Sequence, residues 1–451
     1  MTAAVTSPGA TSAPVRLSVI GTGYLGATHA AGMAELGHHV IGMDVDEEKI
    51  ERLRSGEVPF FEPGLEPLLQ RGLDSGRLSF TTSYEEVALA ADVHFVCVGT
   101  PQQYGSDAAD MRYIDVAIGG LAAQLTRPSL VVGKSTVPAG TAARLATRLQ
   151  IEAPAGADVE LAWNPEFLRE GYAVQDTLTP DRLVFGVDSQ ASEQRLRDIY
   201  ASILGNGCPV VVTDFATAEL VKVAANSFLA TKISFINAMA EVCETTGADV
   251  SRLAEALGLD ERIGPRFLHP GLGFGGGCLP KDIRAFMARA EELGVVQAVA
   301  FLREVDAINM RRRARTVDLA VDEVGGDLSD ANITVWGAAF KPNSDDIRDS
   351  PALEVAATLH SRGARVTVYD PEAMGNAKRK HPELTLAASA VEAAQDADLI
   401  MLLTEWSEFR TLDPALLDGV VRERRILDGR NALDAQMWRS HGWTYRALGR
   451  P

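Results

Sequence analysis

Three glycines in the run Gly21-Thr22-Gly23-Tyr24-Leu25-Gly26 follow directly on a short β-branched segment, Arg16 to Ile20 (RLSVI), and open a helical pattern that lasts to Gly37. Strand, glycine turn and helix in that order confine the chain to few folds. The first glycine allows the tight turn, the second leaves room for a ligand against the backbone, and the third lets helix and strand pack closely. The helix start offers unpaired N–H groups and the positive end of a dipole, a seat for phosphate. A second strand pattern, HHVIGMD, ends in Asp44, 18 residues beyond Gly26. A carboxylate there accepts both hydroxyls of a ribose and repels a 2′-phosphate. The pattern predicts a dinucleotide site, selective for NAD over NADP, built on Gly21, Gly23, Tyr24, Leu25, Gly26 and Asp44.

The alternation continues. Val93 to Val98 is apolar and ends at Gly99; Ser129 to Val132 is apolar and ends at Gly133. Strands alternating with helices imply a parallel α/β sheet. From Asp214 to about Gly326 strand signals vanish and helical periodicity dominates, broken only by Gly271 to Pro280. Val295 to Val324 contains neither Pro nor Gly, which predicts one long helix. Strand signals then return at Asn332 to Trp336 (NITVW, ending in Gly337) and at ARVTVYD (ending in Asp370), and DADLIMLLTEW echoes the earlier AADVHFVCVGT. The fold class expected is α/β: two Rossmann-like doubly wound domains joined by a central all-helical domain with a long helix. The divisions are a disordered tail (1–14), an N-terminal dinucleotide domain (15–213), a central helical domain (214–326) and a C-terminal Rossmann-like domain (327–451). Between Gly337 and Asp370 there is no glycine triplet, so the second half is not expected to bind a dinucleotide in the same way.

At 451 residues the chain exceeds one ordinary domain, and 46% hydrophobic with 23% charged residues is a globular composition. The net charge of -18 disfavours nucleic acid and anionic membranes as partners. Four cysteines, Cys97, Cys208, Cys243 and Cys278, lack metal-site spacing and point to a reducing compartment with no disulfide framework and no metal. The N-terminal residues lack the pattern of a signal peptide, and apolar stretches such as Leu399 to Leu403 are too short to span a bilayer, so a cytoplasmic protein is expected.

The segment GLGFGGGCLPKD places Cys278 after three glycines and before Pro280, which suits the first turn of a helix continuing into IRAFMARAEEL. A thiol at a helix N-terminus is favoured as thiolate, and Lys281 and Asp282 stand beside it, as for an activated nucleophile. Cys97, inside an apolar strand, and Cys243, on a helix, read as core residues. In ELVKVAANSFLATKISFINAMA, Lys222 and Asn226 share one helix face at i, i+4 and could converge on a substrate oxygen; the spacing equally fits a half-exposed polar face. Two strand-end loops, LVVGKSTVPAGT and LAWNPEFLREG, carry Thr136, Glu166 and Glu170, where doubly wound sheets place ligands; solvated loop glutamates fit the spacing as well. FKPNSDDIRDS carries Lys341 and Arg348, and LDGRNALD carries Arg430, basic side chains that suit a diphosphate.

GTGYLG, VGTP, KSTVPAGT, NPEFLREG, ELVKVAANSFLATKISFIN, GFGGGCLPKD and FKPNSDDIRDSP stand in the order of the UDP-glucose/GDP-mannose dehydrogenase family, which the chain resembles from about Arg16 to Asp434. The resemblance implies an N-terminal NAD domain, a helical core with a dimer-forming helix and a C-terminal UDP-binding domain. It implies that Cys278 is the nucleophile, that Lys222 and Asn226 hold the oxygen on the reacting carbon with Asp282 nearby, that Thr136 positions a water and that Glu166 serves in thioester hydrolysis. Lys49, Thr100, Thr136, Glu170 and Arg348 would complete the NAD site. Glu166, Phe167, Leu168, Lys222, Asn226, Phe267, Gly275, Lys341 and Arg430 would line the nucleotide-sugar site, and Arg262 would reach into a partner subunit of a homodimer or larger homo-oligomer. The segment AANSFLATKISFIN is most similar to members acting on UDP-glucose. The activity implied is four-electron oxidation of UDP-glucose to UDP-glucuronate through a Cys278 thiohemiacetal and thioester, then hydrolysis. The same chemistry on GDP-mannose or an N-acetylated UDP-hexosamine is the alternative. A two-electron alcohol dehydrogenase and a non-catalytic NAD sensor or scaffold are further ones; a mere binder needs none of Cys278, Lys222, Asn226 and Asp282. Two residues depart from the family pattern: Gly277, where Ser is frequent, and His269, where some members carry Lys.

Overall fold

The RLSVI run folds as β1 (Arg16–Ile20), which pairs in parallel with β2 (His39–Met43), and β2 in turn with β3 (Leu78–Thr81). On its other edge β1 pairs with β4 (Val93–Val96), and β5 (Ser129–Gly133), β6 (Val159–Trp163), β7 (Leu183–Val187) and β8 (Val210–Thr213) extend the sheet. All these pairings are parallel except β6 with β7. Ile20 stands level with Met43 and with Val96, so the central strands release their loops at one edge. Chains buried on both faces explain why these strands read as unbroken aliphatic runs. This is the computed structural model of the chain, and it describes residues 13–450. The expected tail, 1–14, lies outside them but for residues 13 and 14.

The chain forms two compact units, 1–224 and 225–451. The eight-stranded sheet belongs to the first. Leu17 and Val19 pack beneath the small residues Ala27, Ala30, Ala31 and Ala34 of the helix Tyr24–Glu35, while Val131, Trp163 and Val184 build the core of the other face. The second unit holds β9 (Asn332–Trp336), β10 (Arg365–Tyr369), β11 (Thr385–Leu386), β12 (Leu399–Leu402), β13 (Arg425–Asp428) and β14 (Thr444–Ala447) in an all-parallel sheet of order 11-10-9-12-13-14. Its core centres on Trp336, which stacks on Phe409 at 5.5 Å and approaches Trp438 at 6.3 Å. Side chains of this size each contribute ~1.5–3 kcal/mol by leaving water.

Between β8 and β9 no residue is in a strand; the helices Phe215–Thr246, Val250–Gly258, Leu279–Glu292 and Phe301–Glu323 fill the interval. The unit boundary falls inside the first of them. The helix predicted over Val295 to Val324 begins only at Phe301, after a separate 3₁₀ turn, Val296–Val299. Val295, Val296 and Val299 are β-branched and no side chain caps either element, so nothing nucleates an α-helix there. The longest helix is Phe215–Thr246, 32 residues. Among the described residues no helix is long and apolar enough to cross a membrane, and no group of three or more His, Cys, Asp or Glu could hold a metal ion.

Candidate active site

In the first unit the glycine turn is built as its spacing demands. Gly21 has φ 87° and donates its N–H to the Met43 carbonyl at 2.7 Å. A Cβ on Gly26 would lie 1.8 Å from the Gly21 carbonyl oxygen, so no other residue fits. Around Gly23 a Cβ would meet nothing within 4 Å, which leaves the backbone open to a ligand, and no side chain caps the helix that follows. Such a cradle fits the pyrophosphate of NAD. Asp44, at the end of β2, accepts from the Thr22 N–H at 2.9 Å and pairs with Lys49 Nζ at 2.9 Å. The acid is thus oriented from both sides. Tyr24 turns its hydroxyl to the buried Glu62, which also accepts from the N–H groups of Gly171 at 2.6 Å and Ala173 at 2.7 Å. Burial and Glu62 push the Tyr24 hydroxyl far up, and the charge of Glu170 adds to this. Leu25 is half-buried against the core.

The strand-end loops of this unit are tied together. Thr100 donates from Oγ1 to the Thr136 carbonyl at 2.7 Å. Glu166 pairs with Lys222 at 2.9 Å and accepts from the Leu168 N–H at 2.7 Å. The Lys222 ammonium also lies 5.6 Å from the centre of the Phe167 ring, on which Arg182 stacks at 3.9 Å. Lys222 is buried. Beneath this cluster, Lys134 and Asn164 are buried and joined at 2.9 Å. Neither these two nor Glu62 is among the expected site residues; for Lys134 alone, a charge directly after an aliphatic strand is a local mark in the sequence.

In the second unit Cys278 is the N-cap of the helix Leu279–Glu292, with Pro280 in its first turn, and is exposed. The Cys278 carbonyl accepts from the Asp282 N–H at 2.9 Å. Asp282 is 2% exposed, and its carboxylate accepts from Asn226 Nδ2 at 2.6 Å and pairs with Lys281 Nζ at 2.6 Å. The preceding loop is gripped on all sides. A Cβ on Gly275 would stand 2.1 Å from the Asp349 carbonyl oxygen. At Gly277 it would stand 2.3 Å from the Arg348 guanidinium carbon, so the departure from Ser coincides with an arginine laid over that position. Asn309 accepts from the Phe274 N–H at 2.7 Å and donates to its carbonyl at 3.0 Å, and Arg313 donates to the same carbonyl at 2.9 Å. Neither was singled out in the sequence.

Arg430 donates to the carbonyls of Leu403 at 2.8 Å, Gly273 at 3.0 Å and Phe340 at 3.1 Å. Its guanidinium therefore clamps the glycine loop to the strand ends. Lys341 lies 5.4 Å from the Phe340 ring centre. Phe267 holds φ 66°, a strained value for an aromatic residue. Arg262 is exposed and pairs with Asp260 at 2.6 Å. None of the four cysteines is in a disulfide.

The second sheet repeats the first sheet's turn with a different outcome. Gly337, φ 112°, donates to the Tyr369 carbonyl at 2.8 Å, as Gly21 does to Met43. The acid at the next strand end, Asp370, is fully buried and accepts from the N–H groups of Ala338, Ala339, Glu372 and Ala373 and from Trp406 Nε1, all within 3.0 Å. It has no lone pair left for a ribose.

Three family models cover the chain in sequence: the NAD-binding domain (residues 15–204), the central domain (216–311) and the UDP-binding domain (334–435) of the UDP-glucose/GDP-mannose dehydrogenase family. The chain belongs to that family. This dehydrogenase is 42% identical over 439 residues to the UDP-glucose 6-dehydrogenase of Rhizobium meliloti, an alignment covering 97% of this chain and 100% of that one. It matches the structure of a UDP-glucose dehydrogenase from the archaeon Pyrobaculum islandicum with a TM-score of 0.90, at 39% identity and covering 99% of this chain and 100% of that one. A UDP-D-ManNAc dehydrogenase from Pyrococcus horikoshii matches with a TM-score of 0.83 at 28% identity, over 96% and 99% of the two chains. The chain is an NAD-dependent oxidoreductase, and its fold is the expected pair of Rossmann-like sheets with a helical centre.

Proposed function

We propose that this dehydrogenase oxidises UDP-glucose to UDP-glucuronate in two two-electron stages, with Cys278 holding the carbon between them. One observation carries the reading: Cys278 caps a helix whose first turn buries Asp282 against Asn226 at 2.6 Å. An exposed sulfur at the positive end of a helix, with an acid and an amide donor one turn away, is equipped to add to a carbonyl and to handle the proton. The identity to UDP-glucose 6-dehydrogenases, 42% against 28% to the N-acetylated-sugar enzyme, favours UDP-glucose over its rivals.

Gly21, Gly23, Gly26, Asp44, Lys49, Thr100, Glu170 and Arg348 would hold NAD, which when bound supplies the hydride acceptor. Asp282 takes the proton of the C6 hydroxyl, directly or through water. Lys222 and Asn226 donate to the oxygen on that carbon, where negative charge builds; one such donor is worth ~3–4 kcal/mol. With the first hydride gone from C6 to that acceptor, Cys278 Sγ adds to the aldehyde carbon to give a thiohemiacetal, and loss of a second hydride from the carbon with the proton from its hydroxyl leaves a thioester. Thr136 positions the water and Glu166 takes its proton as the C–S bond breaks and the carboxylate forms. Phe167, Leu168, Phe267, Gly275, Lys341 and Arg430 shape the nucleotide-sugar seat. A three-domain division at 15–213, 214–326 and 327–451, a homodimer or larger assembly using Arg262, and a cytoplasmic setting belong to the same reading.

The test is a panel of UDP-glucose, GDP-mannose and N-acetylated UDP-hexosamines, followed by NADH absorbance. UDP-glucose is expected to turn over fastest, with two NADH per sugar. A faster rate on another sugar replaces the substrate, one NADH with accumulating aldehyde replaces the chemistry, and tight NAD binding without turnover replaces the enzyme with a binder.

A further inference from the structure

Lys134 follows β5 and is 6% exposed, yet none of the steps above uses it. Its Nζ donates to Asn164 Oδ1 at 2.9 Å and lies 3.4 Å from the Asn164 carbonyl oxygen. Asn164 is fixed in turn: Oδ1 also accepts from the Tyr200 hydroxyl at 2.7 Å, and Nδ2 donates to the Val184 carbonyl at 2.9 Å. The oxygens that grip the ammonium are thus neutral. The titratable groups around it come from every neighbouring element. Cys97 comes from the end of β4, His29 from the helix Tyr24–Glu35, Glu166 from the loop after β6 and Lys222 from the helix Phe215–Thr246, with Tyr200 beyond Asn164. Burial pushes the Cys97 thiol up to about 12, so it is neutral and no counter-ion at pH 7. Burial also pulls the Lys134 ammonium down to about 8; Lys222 adds to the fall, while Cys97 and Glu166 oppose it.

A buried ammonium whose hydrogen bonds go to neutral oxygens, with the Phe95 ring centre 5.9 Å away and no carboxylate against it, is costly, and a neutral amide would tie the strand ends as well. The charge therefore points to a use, and the carboxylate within its field is Glu166. Glu166 is paired with Lys222 at 2.9 Å, but oxidation asks Lys222 to donate to the substrate oxygen. We propose that Lys134 is a positioning residue: a stationary positive charge, anchored by Asn164, that compensates Glu166 while Lys222 turns to the substrate. Lys134 stays in place because the amide that holds it, Asn164, is itself fixed by the Tyr200 hydroxyl and the Val184 carbonyl. The inference rests on the roles proposed above for Lys222 and Glu166.

The experiment is the pH profile of kcat with UDP-glucose and NAD saturating, for the wild type, Lys134→Met and Asn164→Asp. The wild type is expected to lose turnover as pH rises through about 8, where Lys134 gives up its proton. Lys134→Met is expected to lower kcat about tenfold or more at pH 7, to remove that alkaline fall and to leave the KM for NAD within about twofold. Asn164→Asp places a carboxylate against Nζ and is expected to move the fall about one unit or more upward. Wild-type kcat with an unchanged alkaline limb in Lys134→Met overturns the proposal. Should that variant fail to melt cooperatively, an unmoved limb in Asn164→Asp overturns it instead. A wild type that forms no uronate shows a different failure, that of the functional reading, and removes the inference with it.

Discussion

Asn226 Nδ2 donates to Asp282 Oδ2 at 2.6 Å, joining the helix Phe215–Thr246 to the first turn of the helix that Cys278 caps. Asp282 is buried, with Lys281 on its other oxygen. Asn226→Ala leaves that carboxylate short of a donor and should cost about 1–3 kcal/mol of stability. If Asn226 also donates to the substrate oxygen, kcat should fall ~10²–10³-fold. Melting curves and turnover measured together separate the effects; a kcat loss below about tenfold would confine Asn226 to packing.

Cys278→Ala should abolish uronate formation. The residue is exposed and its side chain is no part of a core cluster, so melting should shift little, within about 0.5 kcal/mol. Binding of NAD, followed by fluorescence quenching, should survive. Acid production at the wild-type rate would refute the thioester route.

Asp44→Ala strips the Thr22 N–H and Lys49 of their shared acceptor. The KM for NAD should rise about tenfold, the worth of roughly one charged hydrogen bond. NADP should become a usable substrate, because Lys49 then faces the 2′-phosphate unpaired by Asp44. An unchanged ratio of kcat/KM for the two cofactors would remove Asp44 from the ribose.

His94 is fully buried in β4, with Nδ1 2.8 Å from Ser18 Oγ, and burial lowers its imidazole to about 4. The unfolded imidazole takes its proton near pH 6.5. Between those values the unfolded chain binds more protons, so stability falls as pH falls from 6.5 toward 4. The loss from this one group is about 2 kcal/mol at pH 5. His29 and His38 are lowered by burial as well and act in the same direction. Urea midpoints at pH 7.5 and 5 should differ accordingly, and His94→Gln should shrink the difference. A midpoint independent of pH over that range would contradict a neutral buried imidazole.

The strands and the glycine turn were legible because each is a local event: an aliphatic run bounded by glycine, or a backbone too crowded for a Cβ. The place of Cys278 at a helix start was legible for the same reason, since Gly275 to Gly277 and Pro280 announce a close backbone approach to a helix N-terminus. Asn309, Arg312 and Arg313 were not. INMRRRAR is only part of a predicted helix in the sequence, yet all three are buried, and the carbonyl that Asn309 and Arg313 hold belongs to Phe274, 35 and 39 residues earlier. Lys134 and Glu62 were hidden likewise, because the partners that keep them buried lie 30 and more than 100 positions away. Nor does sequence tell that Arg430 grips three carbonyls, since the carbonyls come from three separate loops.

The fivefold grip on Asp370 fixes the division of labour between the two sheets. Replacing Trp406 alone would vacate one contact and leave four amides on the carboxylate, so no single substitution turns the second sheet into a rival socket for the dinucleotide. Duplicated architecture usually invites cross-talk; here the copy has its keyhole plugged from within, and its loops are at liberty to specialise on another nucleotide.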